Sequence, residues 1–504
     1  MNSKIYSLNL LKKKLAKNKK KKVLCHGVFD LIHLGHIKHL EAAKKNGEIL
    51  IVNLTPDRFI KKGPNRPFFT LEQRLESIAS LEVVDFVTWN NQESAADVII
   101  SLRPNIYCKG QDYKKIKNDI TKKIKIEINS IKKVNGKIVF TDDIVFSSTK
   151  IINANFNLLS PEQKKILESV RSKYSIKQIE KFFEQVKKIN VGLIGEIIID
   201  IYAFGEALGK SGKEPIMMIK NINEEKYLGG TGAIANHLSS FINKIDFYGM
   251  IGEKKENLDF IKRNLKKNVR QNFYLKNNSP TIVKKRYLDH VTNNKIIGFY
   301  TINDDVIKKR DEVKLINTIT KIINRNKINI ISDYGHGMIT ENVKKIINKS
   351  KNFTAINTQV NAANIATFNL TKYSNVQLVM INEKELRNEL RNNSESIYIL
   401  IKKLSKIIKP KYMVVTSGTK GAIMYNFKKN KFFNCPAFSL KAIDRVGAGD
   451  SMLAILSVFL YITKDEELSL LVGSLVAAEK VKTIGNKYVV DQKNILKTLS
   501  HLII

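Results

Sequence analysis

Two consecutive α/β domains, each built on a parallel sheet, are predicted by three features of the sequence. Short β-rich apolar runs alternate with helical patterns in two separate stretches, from Val23 to Ile152 and again from Val191 onward. A His33-Leu34-Gly35-His36 turn follows the first strand of the first stretch, and Gly447-Ala448-Gly449-Asp450 opens a helix late in the second. The length of 504 residues allows three domains at a prior of about 150 residues each, but α/β domains often exceed that size, so two are expected.

In the first stretch the strands are Val23 to Cys25, Ile49 to Leu54, Phe86 to Trp89, Ile106 to Cys108 and Lys137 to Thr141. From Asn155 to Lys188 the chain turns polar and helical, and Ser160-Pro161-Glu162-Gln163 reads as an N-cap followed by proline at the first helical position. The second stretch supplies Val191 to Gly195, Phe247 to Gly249, Ile328 to Ser332 and Met413 to Thr416. Two segments inside it, Pro215 to Lys220 and Ile282 to Tyr300, are strand-like without intervening helices and suit a small β-lid over a cleft. The expected boundaries are a first domain at 1–153, a helical linker at 154–187 and a second domain at 188–504.

A hydrophobic fraction of 43% with 26% charged residues is that of a folded globular chain and argues against disorder. The net charge of +39 would favour nucleic acid, anionic membrane or phosphorylated substrates. The lysines are spread through the chain among Asn and Ile, however, with no basic arm, RNA-binding aromatic signature or zinc spacing, so no nucleic-acid partner is expected. Cys25, Cys108 and Cys435 form no CxxC pair, which argues against a disulfide framework or structural zinc and fits a reducing cytoplasm. Tyr6 to Leu11 is too short and polar for a signal sequence, and Met452 to Ile462 falls short of a membrane span, so no membrane association is expected.

In Cys25-His26-Gly27-Val28-Phe29-Asp30-Leu31-Ile32-His33-Leu34-Gly35-His36 a strand enters a glycine-containing turn and then a helix. The helix start offers free N–H groups and a positive dipole end to a phosphate. His33 and His36, three apart, share one side of the first turn, where their donors can stabilise charge on the α- and β-phosphates of a nucleoside triphosphate. The alternative is a surface pair or a metal half-site. Lys44, Arg66 and Arg74 are candidate phosphate contacts whose alternative is a solvated helix or loop charge.

These residues resemble the cytidylyltransferase-like nucleotidyltransferases over about residues 4 to 153, and among them the adenylyltransferase half of the bifunctional heptose-phosphate kinase/adenylyltransferases. The likeness includes Arg66-Pro67, Leu71-Glu72-Gln73-Arg74, Lys109-Gly110-Gln111-Asp112-Tyr113 and Ser147-Ser148-Thr149-Lys150. It implies a Rossmann-like domain in which His33 and His36 bind triphosphate and stabilise the transition state, with Phe29, Lys44, Arg74, Ser148 and Thr149 at the nucleotide and its phosphates. The attacking phosphate is already a nucleophile, so such a site needs cations and donors more than a base.

In Asp444-Arg445-Val446-Gly447-Ala448-Gly449-Asp450 the small residues let successive N–H groups point at one place and form an anion hole. Asp450, at the helix start, can accept the proton of an attacking hydroxyl, with a capping aspartate as the alternative. This segment and Leu228-Gly229-Gly230-Thr231-Gly232-Ala233-Ile234-Ala235-Asn236 resemble the two signatures of the ribokinase-like (PfkB) sugar kinases, over about residues 188 to 495.

That resemblance implies a ribokinase-like α/β domain that uses ATP as phosphoryl donor. Gly447, Ala448 and Gly449 would form its anion hole, Thr416, Gly418 and Gly421 its nucleotide turn, and Asn382 with Glu385 an NxxE element that organises Mg²⁺ indirectly. Asp200, Gly229, Gly230 and Asn236 would contact sugar, as would the Gly195-Glu196 and Glu214-Pro215 pairs, while Thr281, Lys284 and Arg286 would read a distal phosphate. A homodimer is expected because lids of that family pair between subunits.

Two departures leave the substrate open. Where heptose kinases carry Asp-Pro-Lys this chain reads Ile356-Asn357-Thr358-Gln359-Val360-Asn361, and the two domains stand in the reverse order. The leading expectation is a bifunctional enzyme of nucleotide-sugar synthesis. It would phosphorylate a sugar or sugar phosphate and transfer a nucleotidyl group from ATP or CTP to a sugar 1-phosphate. A cytidylyltransferase/kinase for a polyol phosphate such as glycerol phosphate, or a nucleotide-sugar-binding regulatory protein with an inactive site, stands as the alternative.

Overall fold

The computed structural model describes residues 3–60, 66–110, 123–141, 159–359, 370–439 and 442–503. The chain divides into two compact units, Met1–Ser160 with Leu496–Ile504, and Pro161–Ile495.

In the first unit β1 (Lys22–Gly27), β2 (Ile49–Leu54), β3 (Phe86–Trp89), β4 (Ile106–Gly110) and β5 (Lys137–Thr141) form one parallel sheet in the order 3-2-1-4-5. Alternate residues serve opposite faces. Val23, Cys25, Leu50 and Val52 pack with Leu40, Leu75 and Ile78, whereas Leu24 and Ile51 pack with Leu11, Leu15, Val98 and Ile99. Burial on both faces is why these strands read as unbroken apolar runs. The strand order reverses between β1 and β4, which places a crevice at their carboxyl ends, and the segment leaving β1 is the one that carries His33 and His36.

The second unit contains β6 (Asn190–Lys210), β7 (Met217–Gly230), β8 (Lys244–Gly252), β9 (Val269–Lys276), β10 (Ile282–Asp289), β11 (Lys295–Thr301), β12 (Ile328–Asp333), β13 (Phe353–Thr358), β14 (Leu378–Asn382), β15 (Tyr412–Thr416), β16 (Ala422–Asn426) and β17 (Lys431–Cys435). Its floor runs β9-β8-β6-β12-β13-β14-β15-β16-β17, parallel as far as β15 and antiparallel beyond it. A four-stranded lid, β7-β6-β10-β11, stands on it.

The strand expected to end at Gly195 continues to Lys210, because β6 belongs to both layers. Asn190 to Glu196 pair with floor strands β8 and β12, and Ile197 to Lys210 pair with lid strands β7 and β10. At the root of the lid a Cβ on Gly195 would lie 2.2 Å from the Ser332 carbonyl oxygen, so only glycine lets β6 pass that close to β12.

Two helices, Pro161–Lys173 and Ile176–Lys187, precede β6. Proline opens the first, and a Ser175/Gln178 capping box opens the second. They pack on the helices Glu466–Lys480 and Ala448–Thr463, through a Ser169 to Glu467 hydrogen bond of 2.6 Å and the Phe183 ring edge-on to Phe459 at 4.7 Å. Among the described residues no helix is long and apolar enough to cross a membrane, and all three cysteines are buried free thiols.

Candidate active sites

In the first unit the helix Leu34–Lys44 starts at the carboxyl end of β1 with His33 as its N-cap. His33 Nδ1 accepts from the Gly35 amide at 3.1 Å, and the His33 and His36 rings stack with centroids 3.9 Å apart. Phe29 meets His36 edge-on at 5.3 Å. Phe29 and Leu31 both have positive φ, 48° and 55°, a conformation non-glycine residues adopt at a cost of about 1–3 kcal/mol and one that clusters at functional turns.

Asp30 holds this turn, accepting from the Phe68 and Phe69 amides and from Arg66 Nε at 2.9 Å. Arg66 is thus no solvated charge. Its side chain is 2% exposed, and neither Nη has a hydrogen-bond partner among the described residues. Arg74 is equally buried and donates to the carbonyls of Val28, Thr55 and Phe69 while pairing with Asp57 at 2.5 Å. It therefore ties the loops after β1 and β2 together, with its donors engaged by protein. Arg74→Ala is expected to lower the stability of the first unit by about 3 kcal/mol, because one buried and two partly buried carbonyls lose their donor; denaturant unfolding checks this, and a change below about 0.5 kcal/mol would contradict it.

Lys44 is not brought to the histidines. It ends an eleven-residue helix, about 16 Å of rise from His33, where it pairs with Asp85 and donates to the Glu48 carbonyl at 2.8 Å. Ser148 and Thr149 lie outside the described residues. Beneath the turn, His26 is buried beside Lys109, and burial first and that charge second hold its pKa down near 4. It is a neutral strut at physiological pH.

In the second unit a cleft of about 1260 Å³ lies between floor and lid. Asp450 sits in the first turn of the helix Ala448–Thr463, behind the left-handed Gly447. It accepts from Tyr334 Oη at 2.9 Å, and desolvation lifts its carboxyl to about 6. Tyr334 is a site residue that the sequence reading passes over, although Ser332-Asp333-Tyr334 is visible there. The structure explains its placement through Glu196. That buried carboxylate accepts from the Tyr334 and Met338 amides at 3.0 and 3.3 Å, so it shapes the loop and does not line the cleft. Burial, with Asp333 close by, raises the Glu196 carboxyl to about 7.

Asp200 also lines the cleft and is paired with Arg286 at 2.6 Å, with Lys284 alongside. Gly229 packs on Asp200 so tightly that a Cβ there would lie 2.1 Å from the carboxylate, while Gly230 lines the cleft itself. Asn236 does not line it, because its Nδ2 donates to the Asn264 carbonyl at 3.0 Å. Thr281 likewise turns away, accepting from the Gly252 amide and donating to Glu256.

At the other end, Asn382 and Glu385 cap each other's backbone in a reciprocal box, both bonds 2.9 Å, and line the cleft with Thr416, Gly418 and Gly421. Asn357 and Gln359, from the stretch that replaces the two charges, line it too. Asp444 anchors the glycine turn by accepting from Tyr202 at 2.9 Å, Lys295 of the lid at 2.7 Å and the Gly485 amide at 3.0 Å. Burial opposes its charge, but Lys295 with the Gly485 and Val446 amides outweighs burial and keeps its pKa below the usual carboxylate value.

The profile of the pfkB family carbohydrate kinases matches residues 188–493, and the cytidylyltransferase-like profile matches residues 24–154. Bifunctional protein HldE of a Nitratiruptor species is 25% identical over 301 residues, which cover 59% of this chain and 62% of that protein. Bifunctional protein HldE of Campylobacter fetus subsp. fetus is 38% identical over 136 residues, 26% of this chain and 27% of its own length. The chain thus spans less than two thirds of each of these curated relatives. Among solved structures, Arabidopsis thaliana ribokinase complexed with ribose and ATP aligns over 62% of this chain and 99% of its own, at 19% identity and a TM-score of 0.49. The family match alone takes in more than half of the sequence, and the chain belongs to the pfkB family of carbohydrate kinases, with a cytidylyltransferase-like domain ahead of the kinase domain.

Proposed function

We propose that the protein performs two steps of nucleotide-sugar synthesis. In the second unit, Asp450 takes the proton of a sugar hydroxyl as that oxygen bonds to the γ-phosphorus of ATP. The bond from that phosphorus to the β–γ bridging oxygen breaks, and ADP leaves. In the first unit, a sugar 1-phosphate oxygen attacks the α-phosphorus of ATP or CTP between His33 and His36, and pyrophosphate leaves. The observation that carries this reading is the arrangement within one cleft. Asp450 lies behind the Gly447–Gly449 turn, with the Asp200/Arg286 pair toward the lid and the Asn382/Glu385 and Gly418/Gly421 elements lining the rest.

Mg²⁺ fits this donor set. Glu385 and Asp450 are carboxylates lining the same cleft, while among the described residues no three His, Cys, Asp or Glu side chains form a metal cage. Such a set suits an ion that keeps waters and phosphate oxygens and neutralises charge on the transferred group. Arg286 and Lys284 give the sugar end two cations, which supports an acceptor that already carries phosphate, such as a heptose 7-phosphate. The relatives named bifunctional protein HldE support two reactions on one chain. Mass spectrometry of products from a panel of sugar and polyol phosphates, each with ATP and with CTP, tests the reading. Activity on glycerol phosphate with CTP alone would replace the heptose assignment, and no transfer to any acceptor would remove it.

A cytoplasmic homodimer completes the proposal. The lid leaves Leu208, Met217, Ile222 and Phe299 at least half exposed, an apolar surface that a second copy would cover, and the three free thiols fit a reducing compartment. Phe299→Glu is expected to convert a dimer to a monomer in sedimentation at micromolar concentration; an unchanged mass would refute pairing through the lid.

A further inference from the structure

Lys480 is the last residue of the helix Glu466–Lys480 and is fully buried, with no exposed surface. A lysine is seldom placed so without a charge to answer. Its ammonium donates to the Val446 carbonyl at 3.1 Å and to the Gly485 carbonyl at 2.5 Å. Val446 immediately precedes the Gly447–Gly449 turn, and the Gly485 amide in turn donates to Asp444, which opens the same segment. The lysine stem lies directly behind that turn, since a Cβ on Gly447 would be 3.3 Å from Lys480 Cε. One side chain therefore joins the two loops that shape the anion hole. Burial lowers its pKa below the ordinary lysine value, while Asp444, Asp450 and Asp200 favour the charged ammonium and Lys295 opposes it.

We infer that Lys480 is a positioning residue for phosphoryl transfer: a tethered cation that holds the Gly447–Gly449 amides aimed into the cleft and balances the carboxylates gathered there. The inference rests on reading the Asp450 cleft as the kinase centre. A neutral anchor could fill the same volume and accept the same packing. It could not offset Asp444 and Asp450 when a triphosphate brings further negative charge to the turn. The ammonium reaches the reacting phosphate only through the backbone it fixes, so its removal should act on turnover more than on sugar binding.

Two variants test this. Lys480→Met keeps the stem without the charge, and Lys480→Ala leaves a space that propylammonium can fill. Both are expected to lower kcat for phosphoryl transfer about 100-fold, while KM for the sugar phosphate stays within about threefold. Propylammonium is expected to restore about tenfold of that loss in Lys480→Ala, and propan-1-ol, of similar shape without charge, none of it. Circular dichroism and pyrophosphate release by the first unit confirm that the chain is folded. If Lys480→Ala does not fold, the Met variant decides, and kcat near that of the unaltered protein overturns the inference. Recovery by the alcohol as well as by the amine, or by neither, also overturns it, because Lys480 would then serve packing alone. An unaltered protein that phosphorylates no acceptor would instead sink the kinase reading itself.

Discussion

Asp450→Asn is expected to lower kcat for phosphorylation at least about 1000-fold while leaving pyrophosphate release by the first unit unchanged, since the amide keeps the shape but cannot take a proton. The same substitution should make the protein more stable. The folded-state carboxyl titrates near 6, above the ordinary aspartate value, so the fold favours the protonated form. That contribution is complete at low pH and is lost as pH rises through about 6, so the unaltered protein carries a cost at pH 7 that the amide does not. Asp450→Asn should therefore exceed it by about 3 kcal/mol at pH 7, with the gap closing toward pH 4. Urea unfolding at the two pH values measures it, and a variant less stable at pH 7 would contradict the assignment of a desolvated, proton-accepting carboxyl. Turnover of the unaltered enzyme should fall on acidification below about pH 6, as Asp450 acquires its own proton.

His36→Ala is expected to do the reverse, lowering pyrophosphate release about 100-fold or more and sparing phosphorylation. The loss has two sources. The imidazole is a donor in the first turn of the helix Leu34–Lys44, and it also stacks on His33 and abuts Phe29, which holds the positive-φ turn in shape. His36→Gln, which retains a donor without the ring, should recover part of the rate if donation is the larger share. Steady-state release of pyrophosphate from ATP or CTP with the preferred sugar 1-phosphate is the measurement. A folded variant that silenced both reactions would show that the two sites are not independent.

Local chemistry was the most readable part of the sequence. A strand followed by Gly27, the two histidines and a helix sets donors at a helix start from consecutive residues, and Gly447 to Asp450 sets a glycine turn at another, so each needs no knowledge of the rest of the chain. Roles that depend on distant partners were harder to read. Lys44 and Arg74 look alike as basic residues on helices, yet one ends its helix beside Asp85 and the other is enclosed by three carbonyls. Asn382 and Glu385 sit at the spacing of a capping box, and the structure uses that spacing to place both at the cleft. Tyr334 reaches Asp450 across 116 positions of sequence, a contact no periodicity encodes. The extent of β6 was hidden for a different reason. Its apolar run from Ile197 is interrupted at Asp200 and Gly205, and from Glu206 to Lys210 the strand is largely exposed, so it resembles a loop entry more than one 21-residue strand.

The length of β6 has a mechanical meaning. Because a strand and not a flexible tether joins the floor to the lid, any rotation of the lid on the floor would act as a lever about the crowded glycine at position 195. The 15 residues beyond it form an arm of up to about 50 Å, so a rotation of only about 10° at the root sweeps the tip through about 9 Å. The same rotation would strain the β6/β12 pairing at Ser332, two residues from Tyr334 and its hydrogen bond to Asp450. Asp200 stands only five residues beyond that fulcrum, so the same swing shifts this cleft-lining carboxylate about a third as far as the tip.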